Sequence, residues 1–192
     1  MKLALTVHQV HRLTVLRPAR PLRHAVLLDE DRSLDAYLDQ EAARRIGALW
    51  ELAAASPHAL VHVPLRGNAV PASVGGGRRL DLVLVHHSLQ FRPSRWKEVR
   101  GRLGAGRART VEVGWRAPEI DHAAVHFREN RDLFHQHVHA ETLFMTGSAK
   151  AFRDSARHLF ELAPAPDGTH SCTELDPVGR ARLVHFVSCE QW

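Results

Sequence analysis

The fold class is decided by residues 134–163, which read FHQHVHAETLFMTGSAKAFRDSARHLFELA. Between His135 and Met145 polar and apolar residues alternate, and a period of two is typical of a β-strand with one buried face. From Ser148 onward the apolar residues recur every three or four positions, which predicts an amphipathic helix with Ser148 as its N-cap. A strand followed by a helix indicates mixed α and β structure.

The same two periodicities extend outward from this stretch. A period of two or a short apolar run predicts further strands at residues 3–16, 59–63, 80–86, 110–115, 169–175 and 183–187. Helical spacing or capping chemistry predicts further helices at residues 33–55, 93–103 and 118–134. This order predicts an α+β fold, a mixed sheet with helices. The β and α elements of residues 80–175 predict a ferredoxin-like split βαβ arrangement for the C-terminal half.

Length and composition limit the classes of protein to which the chain can belong. The chain has 192 residues, 44% of them hydrophobic and 24% charged, which predicts one globular domain over residues 1–192. The glycine-rich segment at residues 65–79 is the place where it would divide, into 1–64 and 80–192. No apolar run approaches the roughly 18 residues of a membrane span. Two cysteines make no disulfide framework, so we expect a cytoplasmic protein without membrane association.

The positive charge is local. The formal net charge is +5, but residues 92–109 alone carry a net of +6, so the rest of the chain is close to neutral. Arginine guanidinium groups favour phosphate and carboxylate ligands. We therefore predict an anionic small molecule or an acidic protein as the partner of this segment. The residues proposed to bind a substrate there are Arg92, Arg95, Trp96 and Arg100.

Histidines are unusually frequent, with fifteen in the chain, and they concentrate in one stretch. On a strand, His135, His137 and His139 share one face, and Glu141 continues the alternation. Three imidazoles and a carboxylate are a sufficient donor set for a divalent transition metal such as Zn²⁺, Ni²⁺, Fe²⁺ or Mn²⁺. Without a metal, the same imidazoles serve as general acid–base groups near neutral pH. The open alternative is a plain solvated polar face.

Two more histidines precede this strand. His122 and His126 are four residues apart on the predicted helix 118–134, so they share a helical face. That spacing makes them candidates to add ligands or a general base to the histidine strand.

One family resembles part of this region. The resemblance to the regulatory domain of nickel-responsive repressors rests on His137, His139, Glu141, Gly147, the helix after Ser148, Gly168 and His170. It implies a ferredoxin-like βαβ unit and puts His137 and His139 forward as metal ligands. The family's ligand cysteine and its ribbon-helix-helix segment have no counterpart here, so the resemblance does not identify the chain as a member.

Three classes of function follow. The first is a small-molecule enzyme that uses the histidine strand for acid–base or metal-assisted chemistry on an anionic substrate. The second is a non-catalytic metal-binding, ligand-binding or regulatory protein that docks an acidic partner through residues 92–109. The third, nucleic-acid binding, is disfavoured because the charge outside that segment is near neutral and no nucleic-acid motif is present. A ferredoxin-like sheet would also suit a homodimer.

Overall fold

Eleven strands and three α-helices make up the regular structure in a computed structural model that describes residues 1–30, 32–115, 134–173 and 182–192. The strands are β1 (Lys2–Val10), β2 (Leu13–Pro18), β3 (Ala25–Glu30), β4 (Ser33–Leu38), β5 (Ala59–Val63), β6 (Arg78–His86), β7 (Arg107–Glu112), β8 (His135–His139), β9 (Thr142–Gly147), β10 (His170–Thr173) and β11 (Leu183–Ser188). The helices are α1 (Gln40–Ala54), α2 (Trp96–Gly101) and α3 (Ala149–Leu162). The predicted α+β fold is confirmed. None of the helices in the described part of the chain combines the length and apolar character needed to cross a bilayer.

All the strands belong to one mixed sheet, with β6 at its centre. The order along the main path is β10-β11-β4-β3-β6-β5-β2-β1-β7, and β9 adds to β6 and carries β8 at its other edge. Residues 78–80 of β6 pair with β3, residues 82–85 pair with β5, and residues 81–86 pair with β9. The pairs β2–β5, β4–β11 and β6–β9 are parallel, and the others are antiparallel.

Helices cover the two faces of the sheet unequally. Helices α1 and α3 pack against each other and against one face, where they bury a large core that includes Leu5, Val61 and Leu143. The opposite face carries a smaller core, in which Trp96 and Val99 of α2 pack on buried strand residues. The strand residues of that smaller core are Val10, Val15, Leu60, Val83, Val85 and Phe144. We call this side of the sheet the α2 face.

The first long helix begins later than its sequence pattern predicts. Residues 33–38 form β4, which pairs with β3 on one edge and with β11 on the other, so the prediction of helix at these residues was wrong. Sheet pairing on both edges outweighs the helical spacing of the leucines there. Asp39 is the N-cap of α1, because its carboxylate accepts a 2.6 Å hydrogen bond from the Ala42 amide. The predicted cap of α3 is confirmed, since Ser148 Oγ accepts from the Ala151 amide at 3.1 Å.

Two strands predicted as continuous are hairpins instead. Residues 3–16 turn back after Val10, where His11 adopts a left-handed φ of 55°. The alternating run from residue 135 to 145 reverses at Ala140 and Glu141, whose φ angles are 47° and 57°. Neither turn contains the glycine or asparagine that usually marks such a conformation. The helix predicted at residues 118–134 lies almost entirely outside the described residues.

Candidate functional site

The histidine strand faces the same side of the sheet as α2. Strand β8 pairs antiparallel with β9, so that His137 lies opposite Phe144 and His139 lies opposite Thr142. Residues directly opposite in an antiparallel pair project to the same side. Because Phe144 belongs to the smaller core, the alternating histidines of β8 lie on the α2 face. His135 and His137 are exposed and His139 is half-buried, and the rings of His137 and His139 stack with centroids 6.1 Å apart.

The basic segment lies beside this strand. A single 3-10 turn, Pro93–Arg95, leads into α2, and its Cα atoms come within 8 Å of those of β8. Trp96, the first residue of α2, is fully buried, and its Nε1 donates a 3.1 Å hydrogen bond to Thr142 Oγ1. Thr142 is the residue opposite His139. The structure therefore brings together two groups of residues that the sequence analysis treated separately.

An aromatic layer holds the two parts in place. Phe91 stacks on Phe144 with centroids 6.2 Å apart and an interplanar angle of 27°. Trp96 meets the same Phe144 ring edge-on at 6.0 Å. Offset-stacked and edge-to-face contacts of this kind add to the free energy of burial. The chain on both sides of Arg92 and Arg95 is thus attached to the strand next to the histidines.

The arginines of this segment differ in their environment. Arg92 and Arg95 are both exposed, and among the described residues neither has a carboxylate within 4.0 Å. Arg100 instead points inward, with Nη1 3.7 Å from Asp81 Oδ2. The exposed edge of the segment can therefore receive an anion, whereas Arg100 and Trp96 contribute to the layer beneath it.

Beneath α2 lies a buried polar cluster that the sequence analysis missed. His62 on β5 is 2% exposed, and its Nε2 lies 4.0 Å from Asp81 Oδ2. The other carboxylate oxygen, Asp81 Oδ1, accepts hydrogen bonds from the backbone amides of Leu65 and Arg66 at 2.9 and 3.0 Å. Within the described part of the chain, neither ring nitrogen of His62 has a hydrogen-bond partner. The Trp96 ring packs edge-on against the imidazole with centroids 4.8 Å apart.

The environment fixes the charges of this cluster. Burial lowers the pKa of His62, and the charges of Arg17 and Arg100 lower it further, which outweighs the opposing effect of Asp81. Burial alone would raise the pKa of Asp81, but the contact with His62 and the two backbone amides outweigh it, so the net shift is downward. At neutral pH the cluster therefore holds a neutral imidazole beside an ionised carboxylate.

The remaining predicted site residues are not on the histidine strand. Glu141 lies in the turn after β8, where its carboxylate pairs with Arg66, so it does not continue the alternation of the histidines. The chain reversal at Ala140 and Glu141 is the physical reason. His122 and His126 lie outside the described residues. Among the described residues, no group of three or more histidine, cysteine, aspartate or glutamate side chains is arranged to hold a metal ion.

A signal for the buried cluster is present in the sequence. His62 is the one polar residue of β5, ALVHV, and Asp81 lies within the buried apolar run of β6, RRLDLVLVH, whose other buried polar residue, His86, ends the strand. A lone buried polar side chain needs a specific partner, and that need indicates a cluster. In the comparisons with known proteins, no family model, no curated protein and no solved structure matches this chain.

Proposed function

We propose that the protein is an enzyme that binds an anionic small molecule on the α2 face and uses His137 and His139 as acid–base groups. The ligand lies between β8 and the turn Pro93–Arg95. The observation that carries this proposal is the juxtaposition of the histidine strand with Arg92 and Arg95, which are distant in sequence.

The arginines supply the recognition of an anion. Arg92 and Arg95 have no carboxylate partner among the described residues, and a guanidinium group presents a planar fork of donors to phosphate or carboxylate oxygens. Phe91 and Trp96 hold the backbone around them against Phe144, so the positions of the arginine Cα atoms are set before a ligand arrives. Such preorganisation lowers the entropic cost of binding.

The histidines supply the proton transfers. His135 and His137 are solvent-accessible, and His139 lies at the inner edge of the same row, opposite Thr142. Imidazole exchanges protons near neutral pH more readily than any other side chain. A group bound by Arg95 would be within reach of this row because β8 and the turn that carries Arg95 are neighbours.

Docking of an acidic protein through the whole of residues 92–109 is less well supported. Strands β7 and β8 lie at opposite ends of the sheet segment that joins them, β7-β1-β2-β5-β6-β9-β8. Arg109 lies opposite Leu5, which belongs to the large core, so Arg109 projects away from the α2 face. The basic residues do not share one surface, and this favours a small ligand at residues 92–95 over an extended protein interface.

Two finer predictions from the sequence, a homodimer and a cytoplasmic location, belong to the same proposal. The predicted divalent transition metal does not, because the described residues His135, His137 and His139 are not arranged to hold one.

The test is a turnover screen on the full chain. The protein is incubated with a mixture of phosphorylated and carboxylated metabolites, and their consumption is followed by liquid chromatography and mass spectrometry. We expect wild type to consume at least one anionic metabolite and the His137→Gln/His139→Gln variant to lose at least 90% of that rate. Substituting Arg92→Gln/Arg95→Gln should raise KM more than it lowers kcat.

The matched control is His58→Gln/His170→Gln, which removes two exposed histidines outside β8. This variant should consume the same metabolite at the wild-type rate. Consumption by His137→Gln/His139→Gln at the wild-type rate, or no consumption by any variant, would remove the proposed enzyme site.

A further inference from the structure

A cavity of about 270 Å³ opens on the α2 face at a distance from the histidine strand. It lies between the β1–β2 hairpin and the loop that follows α2. Its polar lining comes from Thr6, His8 and Arg17, and Gly104 and Ala105 close one side. Strands β1 and β2 are separated from β8 by β5, β6 and β9, so this cavity is separate from the site of the proposed function.

Strand pairing places the polar side chains of the cavity on one face. Thr6 lies directly opposite Arg17, and His8 follows Thr6 by two residues on the same strand. In the parallel pair of β2 and β5, Val15 lies opposite Leu60, so Arg17 and His62, two residues further on, are neighbours on adjacent strands. Thr6, Arg17 and His62 therefore form a row of polar side chains across three neighbouring strands, from the cavity to the buried cluster beneath α2.

The His8 side chain lines this cavity and is buried. It is 5% exposed, and its Nδ1 has no hydrogen-bond partner in the described part of the chain. Burial and the charge of Arg17 lower its pKa, which outweighs the opposing hydrogen bond to the Gly104 backbone, so the imidazole is neutral and its second nitrogen is an acceptor. A buried polar atom without a partner is costly unless a ligand or another group satisfies it.

The charge of the cavity is positive and uncompensated. Among the described residues no carboxylate lies within 4.0 Å of the Arg17 guanidinium. Asp81 is the acidic residue of the adjoining cluster, and Arg100 and two backbone amides already engage it. Arg17 is also half-buried, where a missing counter-charge costs more than it does in water.

The geometry points to a binding site for a phosphoryl group in this cavity, with Arg17 as the charged anchor, Thr6 as a further donor and His8 Nδ1 as an acceptor. The anionic oxygens of a phosphoryl group match a guanidinium fork and a hydroxyl donor, and its protonated oxygen donates to an imidazole nitrogen. The volume is just below the roughly 300 Å³ at which pockets for drug-sized ligands begin, so the ligand is inorganic phosphate or a small phosphate ester.

The test is isothermal titration of the full chain with inorganic phosphate, and in parallel with glycerol 1-phosphate. We expect one saturable site that Arg17→Gln weakens at least tenfold and Thr6→Val weakens three- to tenfold. Arg12→Gln is the matched control, because it makes the same charge change at the exposed tip of the same hairpin and should bind within twofold of wild type. Tighter binding of the ester than of free phosphate, or the reverse, identifies which form occupies the site.

Failure of this proposal is distinguishable from failure of the proposed function. Arg92→Gln/Arg95→Gln should keep the Arg17-dependent site at full affinity. If that variant loses the binding and Arg17→Gln keeps it, or if wild type shows no saturable heat, the cavity is not a phosphoryl site. Circular dichroism and Tm check that Arg17→Gln folds, and Arg17→Lys, which keeps the charge, should restore part of the affinity.

Discussion

Trp96 Nε1 donates a hydrogen bond to Thr142 Oγ1 at 3.1 Å, and both side chains are fully buried. This bond joins the first residue of α2 to the first residue of β9. It also links the histidine strand to the buried polar cluster, because Thr142 is opposite His139 and Trp96 packs on His62. The position of the basic turn relative to the histidine strand depends on it.

The Trp96–Thr142 bond should contribute measurably to the free energy of unfolding. We expect Trp96→Phe to lower it by about 1–3 kcal/mol, through lost volume and the loss of one of the two hydrogen bonds of the Thr142 hydroxyl, which also donates to the Ala140 carbonyl at 3.3 Å. In a double-mutant cycle with Thr142→Val, the coupling energy should be about 1 kcal/mol. Urea unfolding of the wild type, the two single variants and the double variant measures both quantities.

Trp50 provides the matched control for that cycle. It is equally buried, but its Nε1 has no hydrogen-bond partner in the described part of the chain. Trp50→Phe and Thr142→Val should therefore be additive within about 0.5 kcal/mol. A coupling energy for Trp96 and Thr142 no larger than that of the control pair would show that the bond does not hold α2 in place.

Acidification should destabilise the protein below pH 6.5, in part through His62. The folded state lowers the pKa of His62 below its ordinary value of about 6.5, mainly by burial. At pH values between the folded-state pKa of His62 and 6.5, the unfolded chain binds a proton at His62 that the folded chain does not bind. The free energy of unfolding therefore falls as the pH falls through this range. The free energy of unfolding in urea should be lower at pH 5.5 than at pH 7.5, and His62→Gln should show a smaller difference.

The reduction in His62→Gln will be partial, since burial also lowers the pKa of His8, His86 and His158. His170→Gln removes an exposed histidine and serves as the control, with the wild-type difference between the two pH values. An unchanged pH difference in His62→Gln would mean that the imidazole is not held neutral by the fold.

Gly106 should tolerate no side chain. Its φ is +72°, and a Cβ there would lie 2.5 Å from Thr6 Cγ2 and 2.8 Å from the His8 ring. We expect Gly106→Ala to lower the free energy of unfolding by about 1–3 kcal/mol, from backbone strain and from displacement of His8.

Gly104→Ala is the comparison for that variant, because nothing lies within 4 Å of its Cβ position. It should change the free energy of unfolding by no more than about 0.5 kcal/mol. Thermal or urea unfolding compares the two, and an equal effect of both substitutions would contradict the close approach of Gly106 to His8.

The local residue pattern correctly predicts the elements in which that pattern fits only one type of secondary structure. Residues 148–163 carry a serine cap and a clear apolar stripe, and α3 forms there as expected. At residues 33–38 the leucines fit a helix equally well, and the chain forms β4 because β3 and β11 flank it on both edges. No local signal predicts a pairing partner that lies 150 residues away.

The residues of the candidate site also divide into those that the local sequence predicts and those whose placement depends on strand pairing. The sequence indicated the histidine strand and the basic segment separately, but their juxtaposition depends on a parallel pairing of β6 with β9 and on the Trp96 contact. The turn at Ala140 and Glu141 has no glycine, so the alternating pattern predicts a strand that continues through Glu141. Arg17 and His62 lie side by side because of the register between β2 and β5, and no local pattern indicates that register.

The central position of β6 has a consequence for how the molecule exchanges amide protons with solvent. Residues 82–85 are hydrogen-bonded to β5 on one edge and to β9 on the other, and the start of the strand is bonded to β3. Opening either neighbour alone leaves part of this ladder protected. The amides of β6 therefore become fully exposed only when both halves of the sheet have opened, and we expect the strand that carries Asp81 to exchange last.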